Sequence, residues 1–124
     1  MSYRKGRRSE KELRDILHKR GWDATVSDAS RGEADIVAVK RKYGGLVKDI
    51  RLIQVKSTGG DRVQIDRQKM RELKDRADAT GATSDLAVKY GDKWRVYYGI
   101  RAVREGPKTR LLNVKKGKKP EHVY

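Results

Sequence analysis

Asp35 opens an apolar run, Ala34-Asp35-Ile36-Val37-Ala38-Val39-Lys40, and Gln54 and Lys56 lie two residues apart in a second run, Arg51-Leu52-Ile53-Gln54-Val55-Lys56-Ser57. Successive side chains of an extended strand point to opposite sides, so Gln54 and Lys56 emerge on one face. If the runs are adjacent strands joined through Tyr43-Gly44-Gly45, a carboxylate, an amide oxygen and an ammonium group come together. Phosphodiester hydrolysis needs such a set. Oxygen donors hold Mg²⁺, the metal polarises the phosphate and lowers the pKa of a bound water, and a lysine orients that water or offsets developing charge. With no Cys and only His18 and His122 available, a nitrogen- or sulfur-ligated zinc site is disfavoured, and both histidines read as incidental. Taken singly, each residue has a blander reading: a turn-forming Asp at a loop-to-strand junction, a solvated strand Lys. Flanked by Ile-Val-Ala-Val and Leu-Ile-Gln-Val, the combination favours the chemistry.

The elements that must carry these groups are legible from periodicity. A helix is expected from Ser9, with Leu13, Ile16 and Leu17 on one face, Ser9 and Glu12 at capping-box spacing, and Gly21 as the stop. Trp22 to Val26 reads as a strand and residues 27–33 as a polar turn. The two apolar runs are then strands, and Gly59-Gly60 breaks the chain after them. Asp66 can cap a second helix through Thr80, with Met70, Leu73 and Ala77 on one stripe and Gly81 as terminator. Gly91-Asp92 is a two-residue hairpin signal between Asp85–Tyr90 and Lys93–Gly99. Tyr97 and Tyr98 fall on opposite faces of their strand, and Trp22 and Trp94 read as core or partly buried anchors. The expected order is α-β-β-β-α-β-β: one α/β domain with a mixed sheet and helices packed against it, a basic arm at 1–8 and a poorly structured basic tail from about residue 105 to 124.

Composition bounds the partners. The 124 residues suffice for one compact domain, 40% of them are charged, and 32 Lys and Arg against 17 Asp and Glu leave a formal charge of +15. A compact body so charged attracts polyanions, and nucleic acid is the commonest. Absence of Cys excludes disulfides and thiolate metal sites, and no apolar stretch reaches the length of a membrane span. Residues 1–8 carry no apolar signal core, so a cytoplasmic protein is expected. Arg4, Lys5, Arg7, Arg8 and Arg31 are candidate phosphate contacts, because the catalytic face must also be the face that meets nucleic acid.

Gly32-Glu33-Ala34-Asp35-Ile36-Val37-Ala38-Val39-Lys40 followed by Arg51-Leu52-Ile53-Gln54-Val55-Lys56-Ser57 resembles the PD-(D/E)xK nuclease core, with its restriction-endonuclease-like fold. The wider pattern resembles the archaeal Holliday junction resolvases: Arg4-Lys5-Gly6, then Glu10, Gly21-Trp22, Ala29-Ser30, the acidic strand and, opening the second helix, Gln68. The likeness covers roughly residues 3–100, and the short length suits a viral or phage member. It implies a homodimer that hydrolyses DNA at four-way junctions with Mg²⁺, or Mn²⁺ in its place. By this resemblance Glu10 joins Asp35 and Gln54 as a metal ligand, Lys56 handles water, and Ser30 and Gln68 support the site. Glu10 has a competing reading as a first-turn acid favoured by the helix dipole. Two positions depart from the family: Ala34 stands where Pro is usual, and Gln54 where Glu is usual. An amide oxygen ligates Mg²⁺ without contributing charge. The alternatives are a related nuclease acting on another DNA structure, and a catalytically silent module that selects DNA by its shape.

Overall fold

The computed structural model describes residues 2–27, 34–42, 45–99 and 109–124, with the backbone alone for 2–7. Among them run α1 (Ser2–Lys19), β1 (Asp23–Val26), β2 (Ile36–Arg41), β3 (Val47–Thr58), β4 (Arg62–Asp66), α2 (Arg67–Thr80), β5 (Thr83–Tyr90), β6 (Lys93–Tyr98), β7 (Leu111–Lys115) and β8 (His122–Val123). Six strands form a sheet in the order β1-β2-β3-β5-β6-β8, while β4 and β7 form a separate two-stranded ribbon. Pairing in the large sheet is antiparallel except between β3 and β5, which run parallel. The expected mixed α/β architecture is what is found.

Each face of the sheet is sealed by one helix. Leu13 and Leu17 of α1 pack with Ile36, Ala38, Ile53, Ala87, Trp94 and Val96. Met70, Leu73 and Ala77 of α2 pack with Leu52, Leu86, Val88 and Tyr90, and the ribbon adds Val63, Ile65, Leu112 and Val114 to that same cluster. The strict alternation along β3 and β5 therefore separates two small cores. Helix α2 is bounded as its sequence dictates: the Asp66 carboxylate accepts from the N–H groups of Gln68 and Lys69, and Gly81 closes the helix at φ 70°. Gly91, at φ 64°, makes the tight β5–β6 turn.

Three expectations are corrected. Helix α1 begins at Ser2, not Ser9, so the basic arm is helical and Ser9 is a buried interior residue, not a cap. Arg and Lys are good helix formers, and only Gly6 weakens the run; being polar on all sides it carries no periodic signal. The C-terminal segment is not an unstructured tail. Its β7 pairs with β4 from Arg62↔Lys115 to Asp66↔Leu111, and β8 pairs with β6; residues 105–108 lie outside the described range. The element order accordingly gains β4, β7 and β8. No helix among the described residues is long and apolar enough to cross a membrane.

Candidate active site

The site is built where β2 begins and β3 continues past it. Strand β3 pairs with β2 as far as Ile36↔Ile53, and its later residues keep only β5 as a regular strand neighbour, through Thr58↔Tyr90. Asp35 occupies the step. Its N–H donates to the Ile53 carbonyl at 2.9 Å, and its Oδ2 accepts the Val55 N–H at 2.8 Å. The two bonds bracket Gln54, so the carboxylate replaces a ladder carbonyl and is locked against β3. Asp35 Oδ1 accepts no hydrogen bond among the described residues, which leaves one carboxylate oxygen for a cation.

Leu52, on the α2 face, fixes the orientation of the neighbours two and four residues on: Gln54 and Lys56 share that face and are half-buried. The α2 face of this notch therefore presents an amide oxygen and an ammonium group beside a buried carboxylate. Burial pushes the Asp35 carboxyl above the usual aspartate range, against the Val55 hydrogen bond and the fields of Lys56 and Lys69. A carboxylate penalised by desolvation, with a free oxygen and an amide next to it, is suited to a hard cation.

Lys69 was not anticipated from the sequence. It stands in the first turn of α2, three residues after the Asp66 cap, and no spacing along the chain signals it. Gln68, which was anticipated, is exposed, and its amide donates to Glu72 at 3.3 Å.

Glu10 is half-buried on α1, which covers the other face of the sheet. Its neighbour Glu12 shows where this turn of the helix lies. The Glu12 carboxylate accepts from Lys89 Nζ at 2.7 Å and Trp94 Nε1 at 3.0 Å, and Lys89 pairs with Ser57. Lys89 holds the Glu12 carboxyl below the usual glutamate range. The Glu12 turn of α1 is thus level with the Lys56 end of β3. Glu12 takes the β5–β6 flank of the Leu13 stripe, and the 100° helical step places Glu10 on the opposite flank, toward the side where β2 has stopped. Among the described residues no three His, Cys, Asp or Glu side chains gather at one point. Arg8 is exposed. The side chains of Arg4, Lys5 and Arg7, and all of Ser30 and Arg31, lie outside the described residues.

A second group of buried charges sits at the far end of β3. Arg51 Nε donates to Asp85 Oδ2 at 2.5 Å, the Tyr124 hydroxyl lies 3.3 Å from Arg51 Nη1, and the Trp22 ring lies 5.1 Å from the guanidinium carbon. Arg51, Trp22 and Tyr124 border a cavity of about 450 Å³. Tyr97 is buried and Tyr98 exposed, as their alternation requires, while Trp94 is buried and Trp22 half-buried.

The model of the family described as archaeal Holliday junction resolvase (Hjc) matches residues 1–110. Among solved structures, the chain is similar to Hjc of Archaeoglobus fulgidus, described as a Holliday junction resolvase from an archaeal hyperthermophile. The two are 22% identical with a TM-score of 0.74, over 90% of this chain and 84% of that one.

Proposed function

This chain belongs to the archaeal Holliday junction resolvase family and is an endonuclease that acts on branched DNA; from that premise we propose that it cuts four-way junctions with Mg²⁺ held at the Asp35 notch. The observation that carries the proposal is the Asp35 carboxylate: buried, bracketed to β3 on both sides of Gln54, and left with one oxygen open.

Asp35 and Gln54 are the oxygen donors that fit the ion, and Glu10 of α1 is the third donor in this reading. Mg²⁺ commonly takes one or two carboxylates and keeps several waters, so this small donor set suits it. When bound, the ion supplies Lewis-acid polarisation of the phosphate and a more acidic water. The chain's own residues do the rest. Asp35 is held rigid by two backbone contacts, which fixes the donor geometry. Lys56 places its ammonium group on the same face as Gln54, where it orients the attacking water and offsets charge on the phosphate in the transition state. Lys69 adds a second positive charge at the start of α2, offsetting the repulsion that the carboxylate exerts on DNA. Ser30, Gln68 and the basic residues Arg4, Lys5, Arg7, Arg8 and Arg31 serve DNA placement in this reading.

A four-way junction has paired strands to cut, and two sites related by a two-fold axis match that symmetry, so the working unit is a homodimer. Light scattering is expected to give twice the 14.2 kDa chain mass. The test of substrate and metal is a set of end-labelled four-way junction, flap, duplex and single strand, each with Mg²⁺ or EDTA. Cleavage confined to the junction and dependent on Mg²⁺ is expected. Cleavage of flaps alone would make the chain a related nuclease of different substrate, and tight junction binding without cutting would make it a silent module.

A further inference from the structure

The segment after residue 110 lies beyond the part of the chain that matches the resolvase family, yet it is built into the fold. The ribbon's inward side chains, Val63, Ile65, Leu112 and Val114, belong to the core cluster of Leu52 and Val88, which places the ribbon on the face that carries Gln54 and Lys56. It is pinned at its end: the Tyr90 hydroxyl donates to the Val114 carbonyl at 2.9 Å, and the Lys116 N–H to the Asp61 carbonyl at 2.7 Å. Strand β3 leads directly into it. Thr58 is two residues past Lys56, roughly 7 Å along the strand at ~3.3 Å per residue, and the Gly91 N–H donates to its carbonyl at 2.9 Å.

The outward side of this pinned end is cationic in a way the protein itself does not reward. Arg62 and Lys115 are direct cross-strand partners, both exposed. Like charges placed opposite each other destabilise a strand pair. Asp61 approaches Arg62 at 3.4 Å, but both groups are well exposed, so that ion pair offsets little. Lys116 and Lys119 follow in the adjoining turn, also exposed. A rigid row of cations beside the catalytic notch, whose members repel one another, is a site for a polyanion.

We propose that Arg62, Lys115, Lys116 and Lys119 form a ridge that grips the sugar-phosphate backbone of DNA next to the Asp35 notch. The proposal rests on the notch being the cleavage centre, and it assigns to the C-terminal ribbon the role of holding the DNA as it enters. Each phosphate contact releases condensed counterion and contributes about −0.9 to the log–log salt slope, so losing one costs roughly eightfold in affinity at 0.1 M salt.

The test measures binding of labelled four-way junction in EDTA across a salt series, so that cleavage is not read. The triple variant Arg62→Gln/Lys115→Gln/Lys116→Gln is expected to bind at least tenfold more weakly at 0.1 M salt, with a slope shallower by about 1–3. The control Lys42→Gln/Lys48→Gln, exposed positions at the opposite end of the β2–β3 hairpin, is expected to keep the wild-type slope. K115E separates a DNA contact from a structural role. It sets opposite charges across the ribbon, so the melting temperature is expected to hold or rise while junction affinity falls. An unchanged slope in the triple variant, or a fall in melting temperature that accounts for lost binding in K115E, overturns the proposal. Failure of the notch reading is recognised separately, as absence of wild-type cleavage in Mg²⁺ whatever the salt slope.

Discussion

Replacing Asp35 by Asn or by Ala separates what this side chain does for the fold from what it does for the chemistry. Asn keeps an acceptor of the same shape for the Val55 N–H, which Asp35 now takes at 2.8 Å. Ala leaves that N–H without its partner, and an unsatisfied polar group of this kind costs about 1–3 kcal/mol. Charge enters with a definite sign. Burial is the largest influence on Asp35 and raises its folded pKa above the ordinary value of 3.8. Between those two values the native state holds more protons than the unfolded chain, so the wild-type protein loses stability as pH rises through that window. Asn carries no such penalty. In EDTA, urea denaturation is therefore expected to find Asp35→Asn as stable as wild type near pH 3.8 and more stable at pH 7, with Asp35→Ala below both at pH 7. Cleavage is expected to fall by at least about 10²-fold in either variant, the scale of losing one preorganised electrostatic contact. Junction binding is expected to persist or tighten, because a carboxylate facing phosphate is gone. An Asn variant that cuts at the wild-type rate, or that loses as much stability as the Ala variant, would refute this account of Asp35.

Two further outcomes follow from the buried and paired charges. Glu12→Gln is expected to flatten the acid limb of stability. Lys89 lowers the folded pKa of Glu12 below 4.5, so its contribution is complete above that value and lost as pH falls through the folded one, which a melting-temperature series from pH 3 to 7 reads directly. Arg51→Met strands the Asp85 carboxylate, whose side chain is fully buried, and is expected to cost about 3–5 kcal/mol in urea denaturation; Arg51→Met/Asp85→Leu should cost clearly less.

The sequence made the middle of the molecule legible because its signals are local. Asp66 and Gly81 bracket a helix with a clear apolar stripe, Gly91 marks the β5–β6 turn, and the apolar runs around Asp35 and Gln54 can hardly be other than neighbouring strands. What was missed depends on distant pairing. Val63 and Ile65 alternate correctly in β4, as do Leu112 and Val114 in β7, but each run has only five residues amid charged neighbours, and each buries its apolar side only when the other arrives. Residues 2–8 are polar on every side, so no periodicity announces a helix. Lys69 escaped for a related reason. Its influence on Asp35 comes from how α2 is laid against β3, which no spacing along the chain encodes.

Gln54 decides the central claim, because the proposed metal site has an amide where a carboxylate is usual. The measurement is cleavage rate against Mg²⁺ concentration for wild type, Gln54→Glu and Gln54→Ala, with melting temperature as a check because β3 lies inside the sheet. A carboxylate attracts the ion more strongly than an amide at the same separation of about 2.1 Å. Gln54→Glu is expected to reach half-maximal rate at lower Mg²⁺, and Gln54→Ala to need more Mg²⁺, or Mn²⁺ in its place, or not to cut. A folded Gln54→Ala protein that cuts with the wild-type metal requirement would contradict that claim, and the ion would then lie elsewhere than beside Gln54.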